Sequence, residues 1–376
     1  MAVRVNKSAF NIREKINELT KRFGLKGSEL AAANTTQEAR DLVSAGRKNI
    51  VINGDMRIAQ RGTSSSNIIG GGVTTCDRWV IRNTGYTTLA GSSSQDPESP
   101  PGFNYSLKLD ITTPETLDIG DVASIRYYFE DRDWQPSAYG TSQAKSVTLS
   151  FWIRSSVAGT YTINLYNNAG GGARSITLPY TINSADTWEY KSIIVPPDTD
   201  STASFSGDNT RGMEIAWIFS AGSTYTGGDH TGWVTYTNDK FANGQTADLA
   251  GVVSNLYLTG VQVELGKNAT EFEHRFYGEE LALCQRYCYV VEDSYFLMKG
   301  YNVNSGENEA SLSFPTTMRA VPATPSTNPA TGVNQVAGSW NSITPDAAVA
   351  AGSQSGSGTG LASLQVIAGT IFDAEL

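Results

Sequence analysis

At residue 49 the hydrophobic period of the chain changes from that of a helix to that of a strand, and each side of the change restricts what can fold. Before it, Ile12, Ile16, Leu19 and Phe23 recur at spacings of four, three and four. Asn11, with Glu14 three residues on, forms a capping box for this helix, and Gly24 ends it. The stripe is an a/d seam of under two heptads. It is too narrow to wall a large core and too short to be stable alone. A second capping box, Thr35 to Glu38, opens a helix that runs through Leu42 and Val43 to Gly46. The expected use of the seam Ile12, Ile16, Leu19, Phe23, Leu42 and Val43 is docking onto copies of itself or onto a partner. The alternative is a small helical hairpin packed on the body.

From Asn49 the pattern is period two. Strands are predicted over Asn49–Asn53, Thr75–Arg82, Tyr105–Asp110, Val122–Phe129 and Ser146–Arg154. Others are predicted over Thr160–Tyr166, Arg174–Tyr180, Trp188–Val195, Met213–Ser220 and Leu256–Leu265. About ten strands separated by turn residues predict a two-sheet antiparallel sandwich, most simply a jelly roll. After a polar joint at 266–273, residues 279–284 predict a short helix and 286–290 a strand. The tail from Tyr301 carries one cation, Arg319, and five anions. It predicts short strands such as Ala310–Phe314, while Ala347–Gly360 reads as linker-like Ala/Gly/Ser. A tail with so few apolar residues is expected to complete its core with neighbouring copies. The fold class is therefore mainly β. It comprises a short N-terminal α-helical leader (1–48), an antiparallel jelly-roll β-sandwich (49–275) and a small C-terminal β-domain (276–376) that is expected to trimerise.

Charge and cysteine content exclude several functions. The first 49 residues hold ten Lys/Arg against five Asp/Glu, and the rest holds 18 against 32, for a net charge of −9. An acidic body is a poor nucleic-acid binder, because phosphates need cations. The leader's charges alternate in sign and read as a solvated helix face. Three cysteines, Cys76, Cys284 and Cys288, and two histidines, His230 and His274, are too few for a disulfide framework or a zinc site. No apolar run is long enough for membrane insertion, and the N-terminus lacks a signal-peptide core. The expectation is a chain made in a reducing cytoplasm, with no cofactor.

Three segments carry a resemblance. They are Asn49-Ile-Val-Ile-Asn-Gly-Asp-Met-Arg-Ile-Ala-Gln-Arg-Gly62, Cys76-Asp-Arg-Trp79, and Gly260-Val-Gln-Val-Glu-Leu-Gly266 leading into Phe272-Glu-His-Arg275, Tyr277-Gly-Glu-Glu280 and Cys284-Gln-Arg-Tyr287. This string resembles tail-fibre and related virion proteins of tailed bacteriophages, especially marine and cyanobacterial ones. The leader segments Ile12–Leu19 and Glu38–Leu42 look like the attachment segment of the same group. The resemblance implies a jelly roll similar to carbohydrate-binding modules. It also implies a place in the virion tail, other tail proteins and a homotrimer as partners, and contact with host-surface glycan. In many such modules an Asn-Gly-Asp beside the last strand helps hold a structural calcium. Here Asn53-Gly54-Asp55 is present, but the last strand offers Gln262 and Glu264 rather than two aspartates. Asp55 is read as a turn cap.

A sugar-binding surface needs aromatic faces outside the core. Trp134, Tyr225 and Trp233 lie outside the predicted strands and are the candidate ligand-binding residues. Trp79, Trp152 and Trp217 lie in apolar strands and read as core. A polysaccharide depolymerase would need two carboxylates across a sugar. The pairs Asp131/Asp133 and Glu271/Glu273 have i,i+2 spacing, but nothing singles them out. No nucleophile elbow or phosphate loop is present. The expected function is a non-enzymatic tail fibre or receptor-binding virion protein. The alternatives are a purely structural decoration or adaptor protein and a depolymerase.

Overall fold

The computed structural model describes residues 48–66, 68, 72, 75–169, 172–228, 232–302, 307–331, 338–353 and 360–376. The leader residues Ile12, Ile16, Leu19, Phe23, Leu42 and Val43 lie outside the described residues. The sandwich strands in chain order are β1 (Ser64–Ser65), β2 (Trp79–Thr84), β3 (Ala90–Asp96), β4 (Ser106–Thr113), β5 (Val122–Glu130) and β6 (Val147–Ser155). They continue as β7 (Gly159–Asn167), β8 (Arg174–Ile182), β9 (Glu189–Val195), β10 (Arg211–Ala221), β11 (Val234–Thr235) and β12 (Ser254–Leu265). The first sheet has the order β1-β3-β4-β12-β6-β9, and the second β11-β8-β7-β10-β5-β2. Every ladder within them is antiparallel, so the body is a jelly-roll sandwich.

Alternation builds the core. In β6, Val147, Leu149, Phe151 and Ile153 point inward, and Ile125, Tyr127 and Phe129 do so in β5. Trp79 and Trp217 meet there with ring centroids 5.4 Å apart. β12 changes phase midway. Leu256 and Leu258 are core, and so are Val261 and Val263, with a bulge between Thr259 and Gln262. Gly260 takes the left-handed conformation there (φ 61°).

The predicted strand at 49–53 is not a strand. Asn53 has φ 57°, which breaks the extended run. The segment lies against β12 through irregular contacts. Asn49 Nδ2 donates to the Val261 carbonyl at 3.1 Å, and the Val263 N–H donates to Asn49 Oδ1 at 3.1 Å. Gly54 lies so close that an added Cβ would stand 2.2 Å from the Val261 oxygen.

This segment is held by a buried polar lock. The Asn53 N–H donates to Glu280 Oε1 at 2.5 Å, and Trp79 Nε1 donates to the Asn53 carbonyl at 2.9 Å. The Asn53 amide donates to the carbonyls of Ile58 and Asp77, both at 2.9 Å, and accepts the Ile58 N–H at 2.9 Å. Glu280 pairs with Arg275 at 3.1 Å, and Arg275 donates to the Val51 and Asn49 carbonyls. Arg78, 1% exposed, lays its guanidinium 3.4 Å from the Tyr287 ring centroid and pairs with Glu375. Glu130 accepts two hydrogen bonds from Arg286, at 2.9 and 3.0 Å, and one from the Tyr287 hydroxyl at 2.7 Å.

Among the described residues three short α-helices punctuate the β structure: α1 (Asp131–Trp134), α2 (Ser223–Thr226) and α3 (Tyr277–Gln285). Beyond α3, β13 (Cys288–Val290) pairs with β20 (Ile371–Asp373). Two three-stranded sheets stand beside this pair. One has β14 (Tyr295–Asn302), β19 (Gly360–Val366) and β16 (Ala330–Thr331); the other has β15 (Glu307–Ser313), β18 (Ala347–Ser353) and β17 (Ser339–Ile343). The tail, expected to have little core of its own, holds a buried apolar cluster. Phe372 is fully buried among Phe314, Trp340, Met318, Leu364 and Val366. Ala347–Ser353, read as linker-like, is the central strand of its sheet, where the small Ala348 and Ala350 pack in the core. Among the described residues no helix is long and apolar enough to cross a membrane.

Glu280→Ala leaves the Arg275 charge buried without its carboxylate. The expected cost is about 3–5 kcal/mol in urea denaturation, and a loss under about 1 kcal/mol would show that the lock does not hold the fold.

Candidate functional site

The three predicted ligand-binding aromatics do not form one exposed surface. Trp134, closing α1, is 1% exposed. It stands edge-on to Phe129 at 5.5 Å and 5.8 Å from Tyr139. Trp233 meets Tyr139 edge-on at 5.6 Å and donates its indole N–H to the Pro196 carbonyl at 2.7 Å. Trp134, Tyr139 and Trp233 therefore plug one end of the sandwich, where strands stop and the core would otherwise meet water. Tyr225, in α2, is half-buried, edge-on to Phe241 at 6.2 Å, in a cover over the outer face of the second sheet. No ring contact joins it to the other two. Trp134 offers no exposed ring face, which corrects the inference that a residue outside a strand is on the surface.

One group of partly exposed aromatics lies on the outer face of the first sheet, while Phe276 and Tyr277 at the start of α3 and Tyr295 and Phe296 on β14 are exposed elsewhere. Trp152, read as core, has the opposite phase to Phe151 and Ile153 and is half-buried, facing outward. It pairs across the ladder with Tyr190, rings 5.4 Å apart, and Tyr190 is 45% exposed. One step along the sheet, Tyr257 lies beneath Trp188 (6.1 Å), with Arg154 at 5.1 Å and Lys108 at 5.6 Å from its ring centroid. Glu98 fixes this group, pairing with Arg154 at 3.1 Å and accepting the Trp188 indole N–H at 3.3 Å. At the β12 bulge an added Cβ on Gly260 would stand 2.7 Å from Phe103 and 3.0 Å from Trp152, so both rings close over this glycine. Phe103 then contacts Phe272 at 5.1 Å and His274 at 5.4 Å. The result is an aromatic strip edged by fixed charges. Its rings can stack on the apolar faces of sugars while Arg154, Lys108 and Glu98 meet hydroxyl groups. The alternation of β6 was the sequence signal for Trp152.

The remaining candidates have structural duties. Asp131 and Asp133 lie in a helical turn, not a strand, so they do not share one face. Asp131 accepts the Gly207 N–H, and Asp133 accepts the Glu130 N–H at 3.0 Å. Burial, with Glu130 adding repulsion, pushes the Asp133 carboxyl up to about 6. Glu273 accepts the N–H groups of Lys48 and Asn49 at 2.7 and 2.8 Å, whereas Glu271 is exposed. Asp55 pairs with Arg57, and Gln262 and Glu264 hold Thr270 and Glu273. These side chains do not converge as a calcium donor set. Among the described residues no group of three or more His, Cys, Asp or Glu side chains could hold a metal. Cys76, Cys284 and Cys288 are buried free thiols, and burial pushes each well above its usual value, away from nucleophilic reactivity.

No protein-family model matches this chain, and no curated protein matches it. Among solved structures it is similar to the enzymatically active domain of bacteriophage CBA120 tailspike protein 4 (16% identity, 58% of this chain, 21% of that chain, TM-score 0.31). It is also similar to a family 11 carbohydrate-binding module of a Clostridium thermocellum cellulosomal cellulase (14% identity, 57% of this chain, 99% of that chain, TM-score 0.26). A third is a xylan-binding domain from CBM 22 (11% identity, 55% of this chain, 95% of that chain, TM-score 0.30). The chain spans about one fifth of the length of the tailspike domain it matches.

The opposite placements of two tryptophans are testable by thermal and urea unfolding. Trp134→Ala is expected to cost about 3–5 kcal/mol, and Trp152→Ala under about 1 kcal/mol. Equal losses would show that both are core.

Asp133 gives a pH test. A carboxyl held above its usual 3.8 favours the fold when protonated, so its contribution is present below about pH 4 and is lost as pH rises through about 6. Asp133→Asn is expected to flatten the stability profile across that window, and an unchanged profile would show that Asp133 does not titrate there.

Proposed function

We propose that this chain is a non-enzymatic virion protein of a tailed bacteriophage, a tail fibre whose sandwich contacts host-surface glycan. The aromatic strip through Tyr190, Trp152 and Phe103 carries this reading. It exposes ring faces on a rigid sheet, where a polysaccharide chain can lie without a closing lid. The resemblance of the 49–62, 76–79 and 260–287 motifs supplies the virion setting. In this reading residues 1–48 attach the protein to the tail, three copies assemble, and the body and C-terminal β-domain face the host. On the same reading the body cuts no glycan, and Asp131, Asp133 and Glu273 serve as backbone acceptors.

One observation favours a purely structural role instead. The quoted motifs build the lock around Asn53, Arg78 and Glu280 and contribute few side chains to the exposed strip.

The deciding measurement is affinity electrophoresis of the full chain on a panel of bacterial surface polysaccharides. At least one glycan is expected to retard the protein. Trp152→Ala with Tyr190→Ala is expected to weaken that retardation at least tenfold while far-UV circular dichroism stays unchanged. Retention unaffected by the double variant would sink the glycan-binding reading. Release of reducing ends would favour the depolymerase, and light scattering giving a single chain's mass would remove the trimer off the particle.

A further inference from the structure

The outer face of the second sheet is chemically unlike that of the first. Three arginines gather on its adjacent strands: Arg82 on β2, Arg126 on β5 and Arg211 on β10. Tyr128 lies among them. The Arg211 guanidinium lies 3.9 Å from its ring centroid, and Arg82 donates to its hydroxyl at 3.4 Å. Arg126 is held by Ser124 Oγ at 2.8 Å and faces the Phe241 ring at 5.2 Å. The carboxylate paired with this group is Glu214, which takes Arg126 at 2.8 Å and also Arg211. Arg82 is exposed and makes no ion pair among the described residues.

Among the described residues these three guanidinium groups form ion pairs with one carboxylate, so about two positive charges are without a direct ion-pair partner, in a chain whose net charge is −9. Two of the three are largely withdrawn from water, with 17% of the Arg126 side chain and 27% of the Arg211 side chain exposed. The Arg211 Nε is buried without a hydrogen-bond acceptor. Burial first, and then the neighbouring guanidinium charges, press the pKa values of Arg126 and Arg211 downward. Arginine does not shed its proton in a protein, so the crowding persists until an anion relieves it.

The surroundings shape the site. A cavity of about 200 Å³ opens beside it, walled by Gly72, Val80, Arg82 and Tyr128 and, opposite, by Asp373, Glu375 and Leu376 with its main-chain carboxylate. The Asp373 and Glu375 carboxylates are engaged by Arg61 and Arg78. On the other flank the half-exposed rings of Tyr166 and Tyr236 meet edge-to-face at 4.9 Å.

We propose that this face is a second ligand site, in which Arg82, Arg126 and Arg211 hold the oxyanion of an acidic sugar. Guanidinium forks match a carboxylate or a phosphate with paired hydrogen bonds. The shared chemistry is therefore an oxyanion carried on a saccharide, either a uronic-acid carboxylate or a sugar phosphate. The flanking tyrosines accept the sugar ring. Only the identification of the carrier as a sugar rests on the glycan-binding reading; the anion site stands on the arginines.

The test is isothermal titration of the full chain with trigalacturonate, with glucose 1-phosphate and with glucose as the neutral control. At least one acidic sugar is expected to bind. Arg82→Gln is expected to weaken that binding at least tenfold without changing the melting temperature, because Arg82 is exposed and unpaired by any carboxylate. The acidic sugar that binds identifies the carboxylate or the phosphate as the source of the oxyanion. Binding of neither acidic sugar overturns the proposal, and so does equal binding by wild type and Arg82→Gln. Loss through Trp152→Ala instead of Arg82→Gln also overturns it, by assigning the acidic sugar to the first sheet. Loss of neutral-glycan retention is read separately on Trp152→Ala, so either reading can fail without the other.

Discussion

The Glu280 carboxylate, 4% exposed, lies between the Asn53 N–H and the Arg275 guanidinium. A buried carboxylate is tolerated only when its charge and lone pairs are both satisfied, and here both are. In return it fixes Asn53 in a left-handed conformation that few residue types accept. The carbonyl of that residue then holds the Trp79 indole, and Trp79 stands at the centre of the core against Tyr127 and Trp217. The same network clamps the entry segment to β12, and β12 carries the bulge over which Trp152 and Phe103 meet. The core tryptophan and the bulge beneath the aromatic strip are thus tied to one interior carboxylate.

Alternation gives the two faces their different characters. In β6 the order Phe151, Trp152, Ile153, Arg154 sends aliphatic and aromatic bulk inward and a ring and a cation outward. In β5 the same rule buries Ile125, Tyr127 and Phe129 and turns Arg126 and Tyr128 out. The packed sheets stand about 10 Å apart, so the two outer faces point in opposite directions. A ligand lying on one does not touch the other, and the faces are free to differ in chemistry.

Much of the sandwich was legible in the residues, because period-two runs such as 122–129 and 146–154 have one reading. Phase was harder. Trp152 looks like core by its apolar neighbours, and only counting from Phe151 turns it outward. Trp134 misled in the other direction, because a residue outside a strand can still plug a sandwich end. Ala90–Asp96 is a strand made of small polar residues, held by its neighbours on both sides rather than by propensity. Asn49–Asn53 resembles a strand, yet the Asn49 side chain and the left-handed Asn53 replace the ladder. The charged motif residues Arg78, Arg275, Glu280 and Arg286 carried no visible sign that they would meet in the interior. Several of their partners lie far away in the chain: 156 positions for Arg286 and Glu130, 227 for Glu280 and Asn53, and 297 for Arg78 and Glu375.

That distance has a kinetic meaning. The hydrogen bond between Asn53 and Glu280 joins residues 227 positions apart. At ordinary synthesis rates of about 5–20 residues per second, the entry segment leaves the ribosome roughly ten to forty-five seconds before its carboxylate partner does. During that interval Trp79 has no Asn53 carbonyl fixed in place, and Arg78 has neither Tyr287 nor Glu375. The nascent sandwich must therefore wait as an open, apolar-edged intermediate, with high contact order and slow closure. Truncation before Glu280, or a pause in translation there, prolongs the most aggregation-prone stage in the life of this chain.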